Sequence, residues 1–136
     1  MRTVAVRLRP GQDLRRELLA VAERERIQAG WVLTGVGSLS RATLRLAGAA
    51  RHATLEGALE IVALVGTLAQ GGSHLHLAVA DDHGATVGGH LADGCVVRTT
   101  AEVVVGADDR LRFDREPDPD TGYDELVVRH AGEPAR

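Results

Sequence analysis

The sequence predicts an α+β fold, a mostly antiparallel sheet carrying one main amphipathic helix. Three observations predict it. A single segment has helical periodicity, a run of short segments with period two follows it, and glycine-rich punctuation separates those segments. The length of 136 residues argues for one domain, residues 1–136.

Thr3 to Leu8 alternates polar and apolar residues and reads as the first strand. Pro10-Gly11 breaks it, and Asp13 is placed to cap a helix from Leu14 to Gln28. Leu14, Leu18, Val21 and Ala22 fall at helical spacing there, and Gly30 is the expected left-handed stop. Val32–Val36, Ala42–Ala47, Leu59–Ala69, Leu75–Ala80, Thr86–Leu91 and Val96–Val105 then read as strands. Ile61 to Val65 is apolar at every position, as in a strand buried on both sides, which suggests that a second copy of the chain, or else the tail with Tyr123 to Val128, covers part of the sheet. Residues 106–136 carry an excess of carboxylates over arginines and read as an acidic extended arm. It re-enters as a short strand at Tyr123–Val128, with Phe113 and Tyr123 as anchors.

Composition narrows the function. Trp31, Phe113 and Tyr123 are the only aromatic residues, too few for a single-stranded nucleic-acid platform. Cys95 is the only cysteine, so no internal disulfide or cysteine-rich zinc site can form. Every basic residue is arginine, which removes Schiff-base lysine chemistry and a phosphate-loop lysine. The net charge of −3 does not favour tight binding to DNA. No apolar run is long enough to span a bilayer, and the expected location is cytoplasmic.

Chemistry concentrates in the histidines. On a strand, His74 and His76 share one face about 6.5–7 Å apart, a spacing from which two imidazoles can converge on an ion. The same spacing also fits two ordinary polar-face histidines. A third ring, His90, would complete a three-nitrogen site with an open position, the pattern of catalytic zinc. Its participation depends on register. A tight turn centred on Asp82-His83 pairs His90 with Leu75 on the wrong face, whereas a one-residue bulge at Gly88-Gly89 sets it opposite His76. The double glycine is expected to make that bulge.

Glu102 shares a strand face with Arg98 among valines and suggests a buried carboxylate–arginine pair, or a base. Arg45 or Arg98 is a candidate to neutralise an anionic substrate. These three are the weaker candidates for a catalytic part. Gly35-Val36-Gly37-Ser38 lacks the third glycine of a dinucleotide loop, and Cys95 reads as an inert core thiol.

Four blocks carry a family resemblance: Gly35–Ser40 with Ala42–Arg45; Leu59–Gly66; His74-Leu75-His76-Leu77 with Gly88-Gly89-His90-Leu91; and Thr121–Leu126. Together they resemble the PPC domain (plants and prokaryotes conserved), which in plants accompanies AT-hook motifs. The resemblance implies a stand-alone α+β protein that assembles as a homotrimer. It also implies metal binding at His74, His76 and His90. The first hypothesis is accordingly a divalent ion there, zinc first, in a protein open to a metal-dependent reaction on a small polar substrate. The alternative is the non-enzymatic, DNA-binding or transcription-associated role for which several members are labelled. The chain departs from the plant pattern in having no Arg-Gly-Arg-Pro hook. Its Gly57–Val62 block also lacks the arginine and phenylalanine of Gly-Arg-Phe-Glu-Ile-Leu.

Overall fold

The computed structural model describes residues 1–48 and 50–134. Strand β1 (Arg2–Leu8) leads into helix α1 (Leu14–Arg24). Seven strands follow: β2 (Gly30–Arg45), β3 (His52–Ala69), β4 (Gly72–Ala80), β5 (Thr86–Leu91), β6 (Val96–Ala107), β7 (Leu111–Pro117) and β8 (Asp124–His130). Six strands form one antiparallel sheet in the order β1-β6-β2-β3-β4-β5. The far end of β2 also pairs with β5, through Leu44–Leu91 and Arg45–His90, so the sheet curls back on itself. The expected α+β architecture with one helix is therefore present, and two of the expected strands, Val32–Val36 and Ala42–Ala47, are halves of the single long β2.

Asp13 caps α1 by accepting from the Arg16 N–H at 3.0 Å, and its other oxygen accepts from the Gly94 N–H at 2.7 Å. One carboxylate thus ties the helix start to the turn before β6. The helix stops earlier than periodicity suggests. Arg26, at φ 52°, is the left-handed residue, and Arg26 and Ile27 N–H donate to the Glu23 and Ala22 carbonyls. That is the hydrogen-bond pattern of a glycine-type helix stop, made here with arginine. Gly30 has a different task. A Cβ there would lie 2.6 Å from Ile27 Cγ2, so its missing side chain lets β2 begin against the fully buried Ile27.

Leu14, Leu18, Val21 and Ala22 of α1 are buried, in one cluster with Leu64 and Leu68 of β3 and Val97 and Val103 of β6. The core is aliphatic throughout, as the scarcity of aromatics requires. The continuous apolar run in β3 is not buried on both faces: Ile61 and Leu64 point into the core, whereas Val62 and Val65 are each 55% exposed. Leu33 and Val36 on the neighbouring β2 are exposed too, at 47% and 56%.

The acidic C-terminal region is a hairpin rather than an extended arm. β7 and β8 form a separate two-stranded sheet in continuous register from Leu111–His130 to Pro117–Asp124. Residues 135 and 136 of the expected arm lie outside the described residues. The hairpin is moored by the Phe113 N–H, which donates to the Gln28 carbonyl. Phe113 is half-buried, but Tyr123 is 59% exposed and its side chain is not a core anchor.

Candidate metal centre

Strand β4 alternates Leu75, Leu77 and Val79 into the core with His74 and His76 on the other face. Strand β5 sets His90 directly opposite His76. The ring centroids of His76 and His90 are 4.4 Å apart, and each lies 5.1 Å from His74. One nitrogen from each ring falls within 4.8 Å of the others. Tetrahedral zinc, with bonds near 2.0–2.1 Å, wants those nitrogens about 3.4 Å apart, a distance that modest rotation of partly exposed rings supplies. No hydrogen bond engages any of the three side chains among the described residues, which leaves their nitrogen lone pairs available. Burial first, then His76 and Arg115, holds His74 below the ordinary imidazole range; burial, then Arg45, does the same for His90. Both shifts favour the neutral ring that a metal requires. The donor set fits a borderline-soft divalent cation.

The register that makes this possible does not come from Gly88-Gly89. Pairing runs unbroken through that stretch, from Ala80–Thr86 to His76–His90. The extra residue sits in the turn. Gly84 has φ +80° and its N–H donates to the Asp81 carbonyl, while the Asp81 N–H donates to the Ala85 carbonyl. A type I turn followed by a left-handed glycine adds one residue to the loop and shifts the register by one. The double glycine instead makes room: a Cβ on Gly89 would lie 2.7 Å from the Arg45 carbonyl oxygen, blocking the β2–β5 closure that sets Arg45 beside His90.

Among the weaker candidates only Arg45 reaches the site. Arg98 and Glu102 lie on β6, exposed and off the cleft. Glu102 is neither buried nor ion-paired among the described residues. Four residues along a strand span about 13 Å, so Arg98 and Glu102 share a face without touching. A cleft of about 730 Å³ opens beside the rings, bounded in part by His74, His90, Arg45, Arg115, Tyr123 and Glu125. Sequence reading missed the last three as site residues because the hairpin's position over the sheet is a tertiary fact. Their only local signal is the strand alternation of β7 and β8. His52, the register partner of Arg45, also borders the cleft.

The model of the Plants and Prokaryotes Conserved (PCC) domain matches residues 1–108. The chain belongs to this family. A Synechococcus sp. (strain JA-3-3Ab) protein named bifunctional protein GlmU is 52% identical over 133 residues, 98% of this chain and 21% of that protein. The chain thus spans about a fifth of the length of the curated relatives it matches. Among solved structures, a hypothetical protein from Salmonella cholerae-suis is 42% identical with a TM-score of 0.93, covering 96% of this chain and 94% of that one. A Ralstonia eutropha JMP134 protein, described provisionally as DNA-binding, is 27% identical at TM-score 0.74, covering 92% and 89%. The metal-containing protein AF0104 from Archaeoglobus fulgidus is 24% identical at TM-score 0.75, covering 93% and 94%, and shares the fold of this PCC domain.

Proposed function

We propose that this PCC-domain chain is a metal-binding protein that holds a divalent cation, zinc first, on His74, His76 and His90, and that the cation serves a small polar molecule in the adjoining cleft. The convergence of three otherwise unengaged imidazoles from β4 and β5 carries the reading. Such an ion, when bound by three nitrogens, supplies Lewis acidity at its open position. The chain's own part is to fix the rings by strand register and to border the open side with Arg45 and Arg115.

Elemental analysis of protein purified without chelator or metal-affinity resin tests the centre. Near-stoichiometric divalent metal in the wild type, lost in both His76→Ala and His90→Ala, is the expected result. Substoichiometric metal that is indifferent to both substitutions overturns it.

The same reading includes a homotrimer. Exposed Leu33, Val36, Val62 and Val65 place an apolar patch on the hydrogen-bonded neighbours β2 and β3, the surface that further copies of the chain would cover. Light scattering should return three times the chain mass of 14.4 kDa. A monomer at micromolar concentration defeats this part.

A further inference from the structure

We infer that the cleft is a receptor for small anions bearing a carboxylate or phosphate group, and that the β7–β8 hairpin, through Arg115, confers this selectivity. The inference rests on the metal-centre reading for the position of the ligand and on the two arginines for its charge. Arg45 is the cross-strand partner of His90. Arg115 reaches the opposite side of the trio, where its guanidinium donates to Thr67 Oγ1 at 3.2 Å, and Thr67 is the cross-strand partner of His74. One arginine therefore flanks each end of the histidine cluster.

Neither arginine has an ion-pair partner among the described residues. Elsewhere on the same hairpin the opposite holds: Arg112 and Arg129 are locked onto Asp114, and Arg129 also onto Glu116. Of the carboxylates on the cleft wall, Asp93 is neutralised by Arg15 and Arg16, whereas Asp124 and Glu125 have no ion-pair partner among the described residues, Glu125 accepting only a hydrogen bond from the Thr121 hydroxyl. The cleft thus presents two guanidinium groups without ion pairs, one at each end of the histidine cluster, a combination that beside a bound cation suits a carboxylate or phosphate group. The family match ends at residue 108, before the hairpin begins, so Arg115 lies outside the matched region.

The test titrates zinc-loaded protein with lactate, inorganic phosphate and 1,2-propanediol, the last being lactate with its carboxylate replaced by a neutral hydroxymethyl group, followed by calorimetry and backbone-amide NMR. Lactate or phosphate should bind and propanediol should not; which of the two binds more tightly identifies the anion class. Arg115→Gln and Arg45→Gln should each weaken binding at least tenfold, with metal content and melting temperature unchanged. Arg45→Lys, which keeps the charge, covers any failure of Arg45→Gln to fold. Equal binding of lactate and propanediol, anion affinity indifferent to Arg115→Gln, or no anion binding at all overturns the inference. If the wild type takes up no metal, the metal-centre reading fails separately. Anion binding by the metal-free protein that still falls tenfold in Arg115→Gln then sustains the receptor.

Discussion

A side chain on Gly66 would meet the carbonyl oxygen of His74 at 2.0 Å. Gly66 also has φ +132°, a region that L-residues rarely occupy. The two facts make this glycine the point at which β3 lets β4 bring its histidines close. Gly66→Ala should cost about 1–3 kcal/mol from backbone strain and a similar amount from the forced separation of the strands. Gly71→Ala is the control, because it also has positive φ but nothing within 4 Å of the added methyl. Urea denaturation should show the larger loss at Gly66, with metal binding weakened there and retained at Gly71.

The β4–β5 turn shows how much of the site was legible. The alternation of His74 and His76 against Leu75 and Leu77 specifies their shared face without any tertiary knowledge, because strand periodicity is local. His90 needed a register, and register depends on one residue in a turn. Asp81-Asp82-His83-Gly84 contains the signal, an aspartate opening a type I turn with glycine in the left-handed position. Gly88-Gly89 carries a competing signal, because glycines inside a strand commonly mark bulges. Arg45 could be named from sequence only as one of two arginines. Choosing it required the β2–β5 closure, and finding Arg115 required the hairpin's placement, both of which are long-range contacts.

Asp81 fixes that turn with its side chain as well as its backbone. Its Oδ1 accepts from the His83 and Ala85 N–H groups, both at 2.9 Å. Asp81→Ala should remove about 1 kcal/mol or more of stability. It should also loosen the pairing of His90 with His76, lowering metal affinity more than the stability loss alone explains. Competition against a chromophoric chelator, run beside thermal melts, separates the two effects. Unchanged metal affinity would show that the turn does not hold the register.

Cys95 offers a test of the core around the turn before β6. It is fully buried, its Sγ donates to the Thr43 carbonyl at 3.3 Å, and burial pushes its thiol up to about 11. A disulfide reagent at pH 8 should therefore react only as fast as the protein unfolds. Full labelling in denaturant and negligible labelling without it is the expected pattern. Rapid labelling of the native protein would mean that the segment opens locally.

Three carboxylates give the fold a defined acid limit. Asp93, held by Arg15 and Arg16, Asp108, held by Arg110, and Asp114, held by Arg112 and Arg129, all titrate below the ordinary aspartate range. A depressed folded-state value stabilises the protein above the unfolded aspartate value, near 3.9, and that contribution is lost as pH falls through the folded values. Melting temperature should therefore drop below about pH 4, and Asp114→Asn should flatten that part of the profile. Because the partners are partly exposed, added salt should weaken the effect. An acid limb that Asp114→Asn leaves unaltered would place the sensitivity elsewhere.

Duplex DNA is the remaining ligand class to separate, given the description attached to the Ralstonia relative. Phosphate-backbone binding needs several uncommitted cations on one surface. Here Arg2, Arg15, Arg16, Arg41 and Arg110 each face a carboxylate within 3.5 Å, and the chain as a whole carries −3. Of the seven described arginines without an ion pair, two, Arg45 and Arg115, border a cleft sized for a small molecule rather than a duplex backbone. Electrophoretic mobility of random-sequence duplex should stay unchanged at low ionic strength, in wild type and in Arg45→Gln alike. A complex whose affinity falls steeply with salt, and falls further in Arg45→Gln, would turn the same two arginines from a small-anion receptor into part of a nucleic-acid surface.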